Sequence, residues 1–279
     1  MKLLWSCELT SCEQPFWDPS CTYGGVFQIT QTEIRYYHYS GVENTDHLKV
    51  TTLSHDGKII ETNLYPLPKE HLLPYLWKYT LIENRPAILL SDHAYFDINE
   101  KVIIDKSTPA LTKAYTGFYL DNPYHLTDDT FSFPPYEISH LGSFGYLCRK
   151  DGHEIWRYKG QGYLYTEIEK YDQYIVFGTA GHGGRFVCIE LASGNVVFEL
   201  NTKGTTDHAI INDRFYTYFQ NKKGYLAELS LDGKIEFLEL PGVVIPNCPI
   251  SAYKDKILTI SFIKKKDEYL NPVLNFVQT

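Results

Sequence analysis

The chain has 279 residues, with 26 Lys and Arg against 34 Asp and Glu for a net charge of -8. Aromatic residues make up 15% of it and only nine residues are Ala, so sheet-favouring residues are abundant and helix-favouring residues are scarce. This composition excludes a mostly helical protein and predicts an all-β fold. Since no stretch approaches the roughly 18 uninterrupted apolar residues of a membrane-spanning helix, we expect a soluble protein that binds no membrane.

The start of the chain, residues 1–7, resembles a lipoprotein signal that ends in a cysteine. Its apolar part spans about four residues where a signal needs roughly 7–15, so we do not interpret it as a signal. We therefore expect a cytoplasmic protein with reduced thiols. The cysteines form a close group and a scattered group: Cys7, Cys12 and Cys21, then Cys148, Cys188 and Cys248. An alternative is a zinc site made by the close group with a nearby His. Because its spacings match none of the paired Cys-x2-Cys patterns of zinc proteins, we expect no metal.

A hairpin unit repeats along the chain. The heptapeptide LSHDGKI at residues 53–59 recurs as LSLDGKI at 229–235, and the offset of 176 residues divides into four steps of 44. Three further turns lie between these two, at residues 97–101, 151–152 and 193–194. An Asp-Gly or Ser-Gly pair supplies the positive φ that a tight hairpin needs between runs rich in Val, Ile, Tyr and Phe.

Each repeat unit has room for four short strands. In the clearest unit they lie near residues 163–165, 174–178, 185–190 and 196–200. Four antiparallel strands at this period are typical of a β-propeller blade, and the chain length gives about six blades, with seven as the alternative. Residues 3–5 look like a fourth strand that the C-terminal strands lack, so both termini complete one blade. We predict a single β-propeller domain over 1–279, with an irregular insertion at about 111–140.

Two stretches, residues 183–198 and less fully 145–156, resemble the quinoprotein-like (PQQ-like) β-propeller repeat. The resemblance is good over roughly 140–240 and weak over 15–110. In that family a strand after the Gly turn ends in an inward Trp that docks on the next blade. The resemblance implies docking positions in four blades, at Trp156, Ile60, Phe198 and Phe237. No quinone-binding residue carries over, so the resemblance implies no cofactor.

No catalytic constellation stands out in the sequence. The adjacent carboxylates Asp128 and Asp129 are typical of a solvated turn, whereas glycosidase acids are held about 5–10 Å apart on rigid elements. The glycine-rich stretch 178–184 leads into a strand, not into the helix start of a phosphate-binding loop. Its small residues let a ligand approach the backbone closely, with candidate ligand-binding residues His182, Gly183 and Arg185. These patterns favour a non-enzymatic protein. The alternative is a propeller that binds or processes a small ligand or carbohydrate in its central channel.

The charge is unevenly divided along the chain. Residues 1–140 contain 10 Lys and Arg against 18 Asp and Glu, whereas residues 141–279 contain 16 of each. An acidic surface repels nucleic acid, so we expect no nucleic-acid partner. The negative electrostatic field of an acidic surface speeds the encounter with a basic polypeptide, which is the partner we predict. The alternative is that the acidity only keeps the protein soluble.

The acidic half contains the segment that interrupts the repeat, residues 121–137. Prolines, aromatics and acids over such a length are typical of a binding loop on a rigid scaffold. The predicted partner-binding residues are Tyr124, His125, Asp128, Asp129, Phe131, Tyr136 and Glu137. The alternative is a strand of an irregular blade, in which Phe131, Phe133 and Ile138 alternate inward. These patterns favour a protein-binding propeller, and specifically an immunity or inhibitor protein that covers a basic toxin.

Overall fold

The structure is a computed structural model in which all described residues belong to strands, turns or connections. It describes residues 1–9, 25–39, 47–67, 79–90, 94–105, 130–141, 145–160, 163–164, 168–180, 184–203, 207–244, 249–265 and 269–279. Within these ranges there are 25 strands and no helix that is long and apolar enough to cross a membrane. The strands form six antiparallel sheets, here named blades I to VI. The predicted all-β fold, a β-propeller with six blades, is confirmed.

The first compact unit comprises the described parts of residues 1–115 and 240–279, and it contains three blades. Blade I consists of β2 (Val26–Ile29), β3 (Glu33–Tyr39), β4 (His47–Ser54) and β5 (Ile59–Pro66). Blade II consists of β6 (Tyr79–Ile82), β7 (Arg85–Leu89), β8 (Ala94–Asp97) and β9 (Val102–Asp105). Blade VI consists of β23 (Ile250–Tyr253), β24 (Lys256–Lys265), β25 (Tyr269–Gln278) and β1 (Lys2–Glu8). Since β1 pairs with β25, both ends of the chain complete one blade, as predicted.

The second compact unit comprises the described parts of residues 116–239 and also contains three blades. Blade III consists of β10 (Thr130–Phe133), β11 (Tyr136–His140), β12 (Gly145–Lys150) and β13 (His153–Lys159). Blade IV consists of β14 (Tyr163–Leu164), β15 (Glu169–Tyr171), β16 (Tyr174–Ala180), β17 (Arg185–Glu190) and β18 (Val196–Asn201). Blade V consists of β19 (His208–Ile211), β20 (Arg214–Asn221), β21 (Lys223–Ser230) and β22 (Ile235–Glu239). In blade IV both β14 and β15 pair with β16, so the place of its first strand is shared.

The end of the predicted irregular insertion is regular sheet. Residues 130–140 form β10 and β11, and Ile138 pairs with Phe131 on one side and with Cys148 on the other. Ile138 is fully buried, and β10 alternates the half-buried Phe131 and Phe133 with exposed residues, because side chains alternate between the faces of a strand. This part of the insertion is therefore corrected to two strands of blade III, which was the alternative interpretation. Residues 111–129 lie outside the described residues.

The predicted glycine turns all have the backbone conformation that the sequence implied. Gly57, Gly152, Gly194 and Gly233 have φ of +83°, +80°, +75° and +81°. Such values favour glycine because a Cβ crowds the following carbonyl there. Each of these turns joins the third strand of its blade to the outermost strand, so the repeat seen in the sequence marks one fixed place in the blade.

The cores lie between neighbouring blades and not inside them. On β16, Ile175 and Phe177 belong to an apolar cluster with blade III, whereas Val176 belongs to a cluster with blade V. The two clusters use opposite faces of one sheet, because successive side chains of a strand point to opposite faces. A blade is thus buried on both faces, which explains the dense runs of apolar residues in its middle strands.

Candidate functional site between blades I and II

Among the described residues, indole rings close two of the gaps between blades. Trp156 on β13 is 8% exposed and donates its Nε1–H to the Leu191 carbonyl in the outer turn of blade IV, at 2.7 Å. A Cβ added to Gly194 in that turn would lie 2.5 Å from the Trp156 ring, so only glycine leaves room for it. Trp5 on β1 makes the same kind of contact, donating to the His55 carbonyl of blade I at 2.9 Å. The docking that the family resemblance implied for Trp156 is present.

A β-bulge decides which residue of the outer strand reaches the docking position. In blade III the pairing shifts after Cys148, so Ile155 is bulged outward and Trp156, the next residue, faces blade IV. The same shift lies just before Trp5 in blade VI and just before Phe198 in blade IV. A bulge inserts one unpaired residue and changes the face on which the following residues lie. The docking position is therefore the residue immediately after the bulge.

Phe198 and Phe237 were both implied as docking residues, and they differ. Phe198 is buried and its ring centroid lies 5.3 Å from that of Phe215 in blade V, so it docks on the next blade. Blade V has no bulge between β21 and β22. Phe237 is exposed there and packs 5.0 Å from Phe219 of its own blade. The described contacts of Phe237 therefore differ from the docking that was implied for it. Without the bulge, its side chain lies on the other face of the sheet.

Blade I has the bulge but no aromatic residue after it. The pairing shifts after Thr52, so Ile60 is the bulged residue and is 59% exposed. Glu61 pairs with Thr52 and takes the position that Trp156 has in blade III. The docking position implied at Ile60 is thus wrong by one residue.

The facing turn of blade II also departs from the docking pattern. In blade IV the Gly194 N–H donates to the Glu190 carbonyl at 2.8 Å, and in blade II the Lys101 N–H donates to the Asp97 carbonyl at 2.9 Å. In both turns the donor lies four residues after the acceptor. Lys101, like Gly194, has a positive φ, of 54°. The two turns are therefore equivalent. Where blades III and IV pair a Trp with a Gly, blades I and II place Glu61 opposite Lys101.

A shallow pocket lies at this place within the first compact unit. Its enclosed space is about 20 Å³, and it reaches about 270 Å³ only when the adjoining space that is open to solvent is counted. It is lined by Arg35, Tyr37, Val50, Thr52, Glu61, Asn63, Tyr65, Phe96, Ile98 and Lys101. Three aromatic rings thus stand beside an amide and three charged groups, and the Arg35 guanidinium is paired with Glu33 of its own strand. Aromatic walls with a few polar groups are typical of a recognition pocket.

Both phenols of the pocket keep their protons at neutral pH. Burial raises the pKa of Tyr37 to about 12, against the opposing effect of Arg35. Burial, and then the neighbouring Glu61 carboxylate, raises the pKa of Tyr65. The Tyr37 hydroxyl donates to Gln28 Oε1 at 2.9 Å. The lining therefore offers hydroxyl groups, aromatic faces and charges of both signs to a bound group.

The lining is suited to recognition by hydrogen bonds and ring contacts. It holds one carboxylate, that of Glu61, and neither a His nor a Cys. Among the described residues there is no group of three His, Cys, Asp or Glu side chains that could hold a metal. Of the cysteines considered for zinc, Cys7 is a free thiol, whereas Cys12 and Cys21 lie outside the described residues.

Large apolar side chains are exposed along the outer strands of the blades. Of the ten such side chains in the described part of the chain, nine lie on an outermost strand, and every blade has at least one. Strand β5 has three, Ile59 at 48%, Ile60 at 59% and Leu64 at 55% exposure. Strand β5, which also lines the pocket, therefore exposes more large apolar side chains than any other described outer strand.

The predicted partner-binding residues fall into two groups. Tyr124, His125, Asp128 and Asp129 lie outside the described residues. Phe131 and Tyr136 are half-buried and pack against the core between blades III and IV, with the Phe131 ring 6.4 Å from that of Tyr146. Glu137 is exposed on β11. The described aromatic residues of the predicted binding segment therefore support their own blade, and Glu137 faces solvent.

The predicted ligand-binding residues also fall into two groups, one outside the described residues and one within them. His182 and Gly183 lie outside the described residues. Arg185 begins β17, and its Nε lies 3.3 Å from Glu199 Oε1 on the neighbouring strand. Its backbone N–H donates to Thr179 Oγ1 at 2.8 Å. The Arg185 guanidinium is therefore balanced by a carboxylate within blade IV.

The pocket was not predicted, although part of a pattern was available. Glu61 lies four residues after Gly57, just as Trp156 lies four residues after Gly152. Counting from the turn glycine points to Glu61, but the same count from Gly233 gives Phe237, which does not dock, so the count works only in blades that have the bulge. No comparable pattern identifies Lys101, because its turn contains no glycine.

No protein-family model and no curated protein matches the chain. Among solved structures, BamB from Moraxella catarrhalis is similar over 92% of this chain and 85% of its own, with 10% identity and a TM-score of 0.39. The WD40 β-propeller domain of Doa1 is similar over 100% and 97%, with 10% identity and a TM-score of 0.45. The computationally designed Ika4 protein is similar over 53% and 92%, with 10% identity and a TM-score of 0.36. The assignment of the propeller fold rests on the six sheets of this chain.

Proposed function

We propose that this chain is a non-enzymatic β-propeller that binds another polypeptide along the outer edge of blade I. The observation that carries the proposal is the composition of β5, which exposes Ile59, Ile60 and Leu64 and contains no Lys or Arg. Edge strands of monomeric proteins are usually protected by Lys or Pro, and on β5 only Pro66, its last residue, does this. An edge of this kind suits an extended segment that adds to the sheet as a further strand.

The proposed partner is basic. Glu61 is the only charged residue of β5, and the acidic excess of the chain lies entirely in residues 1–140. Opposite charge speeds encounter and selects against acidic competitors. The specific form of the proposal is an immunity or inhibitor protein that covers a basic toxin. The acidic segment 121–137 is proposed separately as a contact site for a partner of the same kind.

The proposal includes a cytoplasmic location and a relationship to the quinoprotein-like repeat. What supports the location is that Cys148 and Cys188 are buried free thiols, as expected in a reducing compartment. What supports the relationship is the docking of Trp156 on the turn of the next blade.

The test is capture of the partner by matched variants of the immobilised protein. Wild type, Leu64→Lys and Val196→Lys are incubated with lysate of the source cells at about 50 mM and about 300 mM salt, since screening weakens charge-steered binding. Val196 is the control because it is an exposed apolar residue on the outer strand of blade IV. We expect one stoichiometric polypeptide on wild type and on Val196→Lys at low salt, less of it at high salt, and none on Leu64→Lys.

Two results would refute the proposal. Equal retention by Leu64→Lys and Val196→Lys would show that the partner does not use the edge of β5. Retention of no polypeptide by wild type at low salt would remove the polypeptide-binding function itself.

A further inference from the structure

We infer that the pocket between blades I and II takes an aromatic side chain of the bound polypeptide, in the place where Trp5 and Trp156 close other gaps. The inference rests on the proposed function for the source of that side chain. The site itself rests on the geometry of the first compact unit. The proposed group is an aromatic ring that carries a hydrogen-bond donor. Indole is the example that this protein already uses, in Trp5 and Trp156.

The acceptor for such a donor is already built into blade II. In blade IV the Leu191 N–H donates to the Gln173 carbonyl at 2.9 Å, and the Leu191 carbonyl receives the indole of Trp156. In blade II the Ile98 N–H donates to the Pro86 carbonyl at 3.0 Å, so Ile98 has the place of Leu191. Ile98 is also a lining residue of the pocket. A ring entering the pocket thus meets the residue whose carbonyl corresponds to the indole acceptor of blade IV.

The walls of the pocket are suited to an aromatic ring. The Phe96 ring centroid lies 4.8 Å from that of Tyr65 and 6.0 Å from that of Tyr37, with the rings tilted by 55° and 56°. Tilted arrangements at these distances are favourable and leave edges and faces for a further ring. Arg35 adds a guanidinium that is able to stack on an aromatic face. Asn63 adds an amide that is able to donate or accept.

The strand geometry explains how the ring of a partner reaches the pocket. Glu61, Asn63 and Tyr65 are alternate residues of β5, and all three line the pocket. A segment that adds to the edge of β5 places its own alternate side chains on that same face, about 4.5–5.5 Å from their cross-strand neighbours. One aromatic residue of the segment, opposite Asn63, then lies at the mouth of the pocket. The bound segment is therefore basic and extended, with an aromatic anchor.

The test uses N-acetyl-L-tryptophanamide as a probe and saturation-transfer NMR as the readout. Glu61→Trp supplies an indole from the chain itself at the docking position and fills the pocket. Thr62→Trp is the matched control, because Thr62 is the exposed neighbour on the opposite face of β5. We expect saturation of the probe's indole protons by wild type and by Thr62→Trp, with a Kd of about 1 mM, and loss of the signal with Glu61→Trp. N-acetylglycinamide, which has no ring, should give no signal with any of them.

The contradicting outcomes are equally defined. Absence of saturation by wild type, or equal signals from Glu61→Trp and Thr62→Trp, overturns the inference. If Glu61→Trp does not fold, Tyr65→Leu removes one wall of the pocket and must weaken the probe signal, and an unchanged signal overturns the inference. Polypeptide capture with Leu64→Lys is scored separately: probe binding without a captured polypeptide refutes the proposed function alone, and capture that depends on Leu64 without probe binding refutes the aromatic site alone.

Discussion

The docking of Trp156 makes two similar turn glycines unequal. Gly152 and Gly194 have φ of +80° and +75°, and each joins the third strand of its blade to the outer strand. A Cβ at Gly152 would meet no atom within 4 Å, whereas a Cβ at Gly194 would lie 2.5 Å from Cγ and 2.6 Å from Cβ of Trp156. Gly194→Ala must therefore displace the indole, and Gly152→Ala must not. The pair separates the cost of backbone conformation from the cost of displacing the ring.

The expected magnitudes follow from these contacts. A side chain in the left-handed region costs about 1–2 kcal/mol, which applies to both variants. At Gly194 the overpacking adds about 1–3 kcal/mol. Displacement of the ring also breaks the 2.7 Å hydrogen bond from Trp156 to the Leu191 carbonyl, which is worth about 1 kcal/mol. The free energy of unfolding should therefore fall by about 1–2 kcal/mol in Gly152→Ala and by about 3–6 kcal/mol in Gly194→Ala.

The assay is equilibrium unfolding in urea, followed by far-ultraviolet circular dichroism, for wild type and both variants in one buffer. Repeating both substitutions in a Trp156→Leu background completes a double-mutant cycle. The extra cost of Gly194→Ala should shrink there, because Leu is smaller than the indole and donates no hydrogen bond. Equal destabilisation by the two glycine variants, or an extra cost that persists without the indole, would refute the docking argument.

Three further predictions concern single groups. Trp5→Phe keeps a ring but removes the donor to the turn of blade I, so urea unfolding should show a loss of about 1 kcal/mol. Hydrogen bonds from Gln278 and then Lys256 lower the pKa of Asp255 from its ordinary 3.8 to about 2, so its stabilising effect is present above pH 3.8 and is lost as the pH falls towards 2; Asp255→Asn should flatten the stability curve in that window, and an unchanged acid limb would contradict the assignment. Burial raises the pKa of the Cys188 thiol to about 12, so thiol-reactive dyes at pH 8 should label it only after denaturation, and rapid labelling of the native protein would contradict its burial.

The turns and the strand count were predictable because their cause is local. Residues such as Gly57 and Gly233 occupy a backbone conformation that few other residues adopt, and the runs beside them are rich in residues that favour strands. The regular strands at 130–140 were obscured by the prolines at positions 134 and 135, which in the structure lie in the turn between β10 and β11. The sequence therefore predicted the blades well and the irregular insertion poorly.

The docking positions were harder to predict because they depend on a bulge. One unpaired residue reverses the face of everything after it, so Ile60 and Glu61 exchange roles although both lie in the same strand. Nothing in the strand's own composition marks the bulge. It is found by comparing the pairing of β5 with that of β13, where the bulge precedes Trp156.

The pocket itself follows from a pair of replacements in two different blades. A Glu on an exposed strand and a Lys in a turn are each ordinary, and 40 residues separate Glu61 from Lys101. Only their shared position, opposite each other where a Trp and a Gly meet elsewhere, shows that no ring from the described residues takes the docking position of this gap. Burying a large aromatic side chain contributes about 1.5–3 kcal/mol, so the gap gives up stability that the other two keep. That difference in free energy becomes available to any aromatic group supplied from outside the chain, which is why the gap at Glu61 is a rational place for recognition, where Trp5, Trp156 and Phe198 dock at the equivalent position of other blades.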